Sequence, residues 1–346
     1  MNADVAPRAT IVVVPRDSFA LTQRCLERLL ACTPAPRRVV VVDGGSPPPV
    51  ASWLADAAVE HDLTLVRSDH LLTPNEARNL ALPHATTEFV VIADNDAYVE
   101  PGWLERLLEC ADEHGADAVV PLHCIGEPGR ERVHVAGGTC SVQAPDGHAR
   151  LEEHHPFGNE PLTAVAGDTQ RRECTLFEFH LVLLRRAALA EVEPLDEGLR
   201  SLLEHTDLSL QLQERGRHIW YDPTVSVTYI PAKPLRGADR SYFVTRWSDD
   251  WNERSAARFC ERWGLPADDP RVRHTVEFGA WLRSRAHLPY RSPMRVLRHH
   301  RRRVPRSIVD RVAQRRALSR YRRDRAAAAP PRLTHRASWM PRTEVP

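Results

Sequence analysis

The chain has 346 residues, 42% of them hydrophobic and 27% charged, with a formal net charge of +1. It is long enough for one large or two medium cores, which excludes a stapled mini-protein, and apolar runs such as Ile11 to Val14 and Val39 to Val42 fall far short of the roughly 20 residues of a membrane-spanning helix. The charge is unevenly divided: from Arg283 onward 19 arginines face three acids, whereas the first 282 residues hold 28 basic and 43 acidic side chains. Asp4 and Arg8, with no apolar stretch and cleavage site beside them, predict no secretory signal. Seven cysteines with no C-x-x-C pair read as reduced, mostly buried thiols of a cytosolic protein.

Residues 10–121 alternate between two patterns. Apolar, mostly β-branched runs at Thr10–Val14, Val39–Val42, Leu63–Val66, Phe89–Ile92 and Ala118–Val119 read as strands buried on both faces. Helical spacing appears between them at 18–32, 50–60, 75–82 and 101–113. This order predicts an α/β fold with a mainly parallel, Rossmann-like sheet flanked by helices, whose ligands bind beyond the carboxyl ends of the strands. From 122 to 185 the pattern is irregular. Val133–Val142 before Pro145-Asp146-Gly147 suggests a hairpin, and Cys174–Leu184 a long strand. A helix follows at 204–215, stopped by Gly216. Ile219–Tyr229 reads as strand, and 250–263 as a helix. Beyond Pro289 the chain is Arg-rich and weakly amphipathic. The expected organisation is a sheet half at 1–121, a second half of the same domain at 122–265 and a basic, helical or disordered tail at 266–346.

Four segments carry chemistry. Asp94-Asn95-Asp96 follows a buried strand, and residues i and i+2 of an extended segment point the same way. The two carboxylates are therefore hard oxygen donors suited to Mg²⁺ or Mn²⁺ bridging a diphosphate, or else an acidic turn before the helix near Pro101. Asp43-Gly44-Gly45-Ser46 ends another strand, its glycines permitting close approach of a ligand or simply a turn. Pro74 to Asn79 opens a helix, where Arg78 is either an anion-binding fork or an exposed side chain. In Glu204-His205-Thr206-Asp207-Leu208 the two acids, three apart, are expected on one helix face. The histidine between them brings an imidazole, the group best suited to general base work near neutral pH.

Taken in order, VVVP at 12–15, VVDGGS at 41–46, NEARNLAL at 75–82, EFVVIADND at 88–96 and PGWLERLL at 101–108 resemble the family 2 glycosyltransferases of the GT-A fold. Residues 195–227 resemble that family's acceptor-side segment, so the resemblance covers about residues 9 to 265. It implies that Pro15 and Asp43 line the nucleotide-base pocket. Arg78 and Asn79 would help hold the nucleoside or its diphosphate, with Asp94 and Asp96 as the D-x-D pair and Asp96 on the metal. The family's E-D-x-D-L aligns with Glu204 to Leu208, an E-H-x-D variant that puts His205 at the usual place of the catalytic Asp. The base is accordingly sought among Glu204, His205 and Asp207. Two further departures are Tyr229, where many members carry a metal-binding His, and Arg16-Asp17 in place of Thr-Tyr-Asn. His180, on a predicted strand, reads as a core histidine, with replacement of that missing ligand as the alternative.

The expectation is a metal-dependent, inverting transferase that uses a nucleotide-diphosphate sugar and Mn²⁺ or Mg²⁺. Its acceptor, whether glycan, lipid-linked sugar, peptide or natural product, is not written in the sequence. The expected location is cytoplasmic, or peripheral at the inner face of the membrane. The basic tail, with Arg-Arg-Arg at 301–303 and interspersed Val304, Ile308, Val309 and Val312, suits an anionic membrane surface or the acidic globule itself; nucleic acid is not an expected partner. The rival reading is a non-catalytic, degenerate GT-A protein that binds membrane or RNA through this tail.

Overall fold

The computed structural model describes residues 7–145, 147–168, 170–231, 235–285 and 306–340. Asp146 and the segment 286–305, which includes the Arg-Arg-Arg run and Val304, lie outside them.

The β-branched runs form strands β1 (Ala9–Val14), β2 (Arg38–Gly44), β3 (Thr64–Ser68) and β4 (Phe89–Asp94), paired in parallel in the order 3-2-1-4. Helices α1 (Thr22–Cys32), α2 (Pro48–Glu60) and α3 (Pro74–Ala81) make the crossovers. Alternation along each strand supplies both faces. Val12, Val14, Val40 and Ile92 pack with Ala77 and Ala81 of α3, while Ile11, Val13, Val41 and Val91 pack with Leu26, Leu29 and Leu54 of α1 and α2. Each buried Val, Ile or Leu among them contributes about 1.5–3 kcal/mol over an exposed position. α3 starts with a complete capping box, Thr73 and Glu76 each satisfying the other's backbone N–H.

Beyond β4 come the short β5 (Ala97–Val99), α4 (Trp103–His114), β6 (Ala118–Ile125) and β7 (Arg132–Val135). The expected hairpin over 133–142 is interrupted. β7 pairs with β6, and a separate hairpin joins β8 (Thr139–Gln143) to β9 (Arg150–His154). The break falls at Gly137, whose φ of +68° suits glycine and whose hydrogen faces the Tyr221 ring where a Cβ would lie 2.9 Å from Cγ. The expected long strand over 174–184 is also divided, into β10 (Arg172–Cys174) and β11 (Leu181–Arg185). Residues 175–180 leave the sheet between them, burying Phe177 and Phe179 in the core.

After α5 (Arg186–Ala190) and α6 (Glu204–Glu214), β12 (Ile219–Tyr229) runs parallel to β6 with a register shift between Asp222 and Ser226. β11 lies antiparallel between β4 and β6. Helices α7 (Gly237–Arg246), α8 (Asp249–Trp263), α9 (Pro270–Arg285) and α10 (Arg306–Ala327) follow, and β13 (Arg332–His335) adds antiparallel to β3. Among the described residues the sheet order is 10-12-6-11-4-1-2-3-13.

The described part of the basic C-terminal region is thus folded onto the globule. Arg332 pairs with Asp69 at 2.6 Å, Arg322 with Asp250 at 3.5 Å, Arg325 with Glu76, and Arg283 with Asp249 at 2.7 Å and Asp310 at 3.0 Å. All seven cysteines are buried and free. No helix among the described residues is long and apolar enough to cross a membrane.

Candidate functional site

The parallel strands β1, β2 and β4 end together, so the residues just beyond them converge. Asp94 closes β4 opposite Val14. Asn95 fastens the turn after β1: its Oδ1 accepts from the Arg16 N–H at 2.7 Å, and its Nδ2 donates to the Ser18 carbonyl at 2.8 Å and to Thr22 Oγ1 at 2.7 Å. That turn carries Arg16, whose Nη1 stands 3.3 Å from Asp94 Oδ2 and 3.8 Å from Glu204 Oε1. Arg78 arrives from α3, its Nη2 3.6 Å from Asp94 Oδ1 and its guanidinium 3.5 Å above the Phe179 ring. From α7, Arg246 places Nε 3.0 Å from Asp17 Oδ1 and Nη2 3.4 Å from Glu204 Oε1.

Asp96 is buried beside them, and neither Asp94 nor Asp96 accepts a hydrogen bond on either oxygen. Four carboxylates (Asp17, Asp94, Asp96, Glu204) therefore face three guanidiniums (Arg16, Arg78, Arg246), which leaves an anionic excess. Burial, followed by Asp94 and Asp17, pushes the Asp96 carboxyl well above its ordinary range. Burial also penalises the Glu204 charge, but Arg246, Arg16 and Arg78 overcome it and hold that carboxyl below its ordinary value.

Asp43 ends β2, where its Oδ1 accepts from the Ser46 N–H at 2.9 Å and its Oδ2 pairs with Arg67. With Pro15, Phe19, Thr22 and Gly44 it lines a small cavity of about 10 Å³ at the same edge of the sheet, room for a single water. Asn79 is engaged elsewhere: its side chain exchanges hydrogen bonds with the Leu195 backbone and donates to Glu197, all at 2.9–3.0 Å.

The E-H-x-D segment divides three ways. Glu204, the first residue of α6, turns back toward Arg246 and Arg16. Asp207, one turn on, takes hydrogen bonds from Gln211 at 2.8 Å and Trp263 at 2.9 Å on the α8 side. His205 Nε2 lies 3.5 Å from Glu178 Oε1, in a cluster that also holds His134, whose Nε2 is 3.8 Å from the same oxygen. Burial works against the Glu178 charge, but the surrounding histidines, His205 foremost, bring its pKa down to about 2.

The sequence profile of glycosyl transferase family 2 matches residues 10–192, just over half the chain. The chain belongs to glycosyl transferase family 2. It is 27% identical over 236 residues to the pre-mycofactocin glycosyltransferase of Mycobacterium tuberculosis, a match covering 66% of this chain and 43% of the relative. It is 32% identical over 128 residues to the succinoglycan biosynthesis protein ExoO of Rhizobium meliloti, covering 37% and 36%. The chain spans less than half the length of these curated relatives. The crystal structure of GalNAc-T7 with UDP, GalNAc and Mn²⁺ superposes with a TM-score of 0.51 at 15% identity, over 80% of this chain and 55% of that one, a likeness of fold.

In this family 2 chain, Asp94, Asp96 and His180 present ligand atoms that all lie within 4.8 Å of one another. Two hard carboxylates and an imidazole, buried with an anionic excess, fit a small divalent cation. Three contributors from α7 and its end, Tyr242, Arg246 and Trp247, were not singled out in the sequence. Trp247 Nε1 donates to Asp17 at 3.0 Å, where Tyr229 Oη also donates at 3.3 Å, and Tyr242 Oη donates to the Pro15 carbonyl at 3.1 Å. The only signal for α7 was an arginine set in an aromatic run, Tyr242 to Trp247.

One pH response follows from the rim of the His cluster. His155 Nε2 lies 2.7 Å from Glu153 Oε1, which Arg271 also reaches at 2.5 Å, while Thr206 donates to Oε2 at 3.0 Å. Burial lowers the His155 pKa, but the Glu153 hydrogen bond and the Glu178 charge override it and raise the imidazole. Burial raises Glu153, but His155, His205 and Arg271 hold it well below its ordinary value. A raised imidazole stabilises the fold fully below its unfolded pKa of about 6.5, and this contribution disappears as pH rises through the folded value. Thermal stability should therefore fall as pH rises above about 6.5 through this pair, and His155→Phe should flatten that fall in a melting series. An unchanged slope would remove His155 from the balance.

Proposed function

We propose that this chain transfers a sugar from a nucleotide-diphosphate donor to an acceptor in a single inverting displacement. The observation that carries the reading is the Asp94/Asp96 pair in a family 2 fold: four buried carboxylate oxygens without hydrogen bonds at the carboxyl edge of the sheet. A neighbour in fold was solved with UDP, GalNAc and Mn²⁺, which supports the donor class and the cation. Asp94 and Asp96 would hold Mn²⁺ or Mg²⁺, which when bound neutralises charge on the diphosphate.

The protein's own groups do the rest. Pro15 and Asp43, at the ends of β1 and β2, mark the edge of the sheet against which the base of the nucleotide would lie. The Arg16 side chain is 11% exposed whereas those of Arg78 and Arg246 are fully buried, so Arg16 is the guanidinium within reach of an incoming diphosphate. Arg78 braces Asp94 from behind, and Asn79 fixes the loop at Leu195. As the bond between the anomeric carbon and the diphosphate oxygen breaks, the acceptor oxygen bonds to that carbon and gives its proton to a base. His205 is the base this geometry favours. Its Nε2 faces the Glu178 carboxylate at 3.5 Å, which orients the ring and leaves Nδ1 as the nitrogen to take the acceptor proton. Asp207, bonded to Gln211 and Trp263, serves the α6–α8 contact.

A panel of nucleotide sugars, scored by cation-dependent release of free nucleotide and by a joint rise in Tm with Mn²⁺, tests the activity. On the active donor, His205→Ala should lower kcat by about 10²–10⁴ with little change in donor KM. A near-normal kcat would move the base elsewhere, and a panel without turnover or joint stabilisation would overturn the reading.

A further inference from the structure

Resting on the cation reading above, we infer that His180 is the third protein ligand of the cation, joining Asp94 and Asp96 through Nδ1. Residues 175–180 leave the sheet before β11 begins, and His180 is the last of them. Its side chain is directed at the carboxyl end of β4, where the Asp94 N–H donates to the His180 carbonyl at 3.2 Å. The imidazole is 4% exposed, and its Nδ1 has no hydrogen-bond partner. That nitrogen stands 3.4 Å from Asp94 Oδ2, one of the four carboxylate oxygens without a hydrogen bond. A core histidine with only a packing role would have this nitrogen bonded, because an unpaired buried polar atom costs about 1–3 kcal/mol. Three side chains with orphaned atoms turned toward one point are the pattern a cation would satisfy.

Two neighbours fix the ring. Tyr229, at the end of β12, stacks on it with centroids 4.3 Å apart and planes inclined by 19°. The Tyr229 hydroxyl donates to Asp17, so the ring that supports His180 is itself anchored to the turn after β1. His134 meets His180 edge-on at 5.3 Å. The strongest competitor for the position is Arg16, 3.3 Å from the same Asp94 oxygen. As the one partly exposed guanidinium of the three, Arg16 can yield this oxygen and turn toward a diphosphate. One oxygen-rich pair and one imidazole suit Mn²⁺ better than Mg²⁺, which prefers oxygen ligands and retained waters.

Electron spin-echo envelope spectroscopy of Mn²⁺ on the full chain, alone and with UDP, GDP and other nucleoside diphosphates, tests this without reference to turnover. The wild type should show nitrogen modulation that changes frequency when histidine is labelled with ¹⁵N, and that persists in His134→Ala. His180→Ala should lose the modulation and bind Mn²⁺ at least about tenfold more weakly. Because labelled wild type reports the imidazole directly, the test stands even if His180→Ala folds poorly. Mn²⁺ bound in an Asp96-dependent way without histidine modulation, or with modulation lost only in His134→Ala, would overturn the role of His180 and leave the cation reading intact. No Mn²⁺ bound under any of these conditions would overturn both.

Discussion

Asp96→Asn is expected to abolish sugar transfer while leaving the cation-free protein as stable as the wild type, or more so. The two effects have opposite physical origins. Asp96 is 1% exposed, and neither of its oxygens has a hydrogen bond. Without a cation, its charge sits beside Asp94 and Asp17, and burial together with these neighbours opposes ionisation. An amide of nearly the same shape removes that charge, so the apo Tm should hold or rise. A cation that stabilises the leaving diphosphate by about 4 kcal/mol would be lost with its ligand. That corresponds to about a thousandfold in turnover. The joint Tm rise with Mn²⁺ and nucleotide should vanish in the same variant. Turnover by Asp96→Asn near the wild-type level, or wild-type turnover in excess chelator, would remove the cation from the reaction.

This site was partly legible in the sequence because its first elements are local. A short, β-branched apolar run such as Phe89 to Ala93 reads as a buried strand, and the polar residues following it then lie at the sheet's edge. Asp43 and Asp94 could be placed there by the same argument. The order and spacing of the five segments added the family resemblance, which the profile match over residues 10–192 bears out. The extent of α6 and β12 was also readable, since Gly216 stops the one and alternation marks the other.

What stayed hidden depends on contacts between distant segments. Glu178 and His180 alternate with Phe177 and Phe179, so period-two patterning extended the strand straight through 174–184. The bend that brings both polar side chains toward the site has no local code. Gly137 looked like part of a strand because nothing in the sequence shows Tyr221 packed against it. Spacing put Glu204 and Asp207 on one helix face. At the start of α6, however, Glu204 leans back over the preceding turn, as helical side chains do, and meets Arg246. Asp207 meets Trp263 instead. The role of Arg246 could not be read at all, because its partners Asp17 and Glu204 lie 229 and 42 positions away.

Arg246→Met should be the most destabilising single substitution around the site, costing about 3–5 kcal/mol. Arg246 is fully buried, and its guanidinium is the shared counter-charge of Asp17 and Glu204, at 3.0 and 3.4 Å. Methionine fills much of the volume but leaves two carboxylates in low dielectric with reduced compensation. Asp17 has more than charge at stake, because its φ of +38° lies in the left-handed region that non-glycine residues adopt only when their surroundings enforce it. Trp247 and Tyr229 would remain as its anchors, and both only donate neutral hydrogen bonds. The turn from Pro15 to Ser18 should therefore loosen, and with it Arg16, so donor KM should rise along with the loss of stability. Urea unfolding would show a lower midpoint at unchanged slope. Adding Asp17→Asn to Arg246→Met should recover part of the loss, since removing both charges of a buried pair costs less than stranding one. If the double variant is no more stable than Arg246→Met alone, the penalty comes from packing of the arginine stem rather than from the stranded carboxylate.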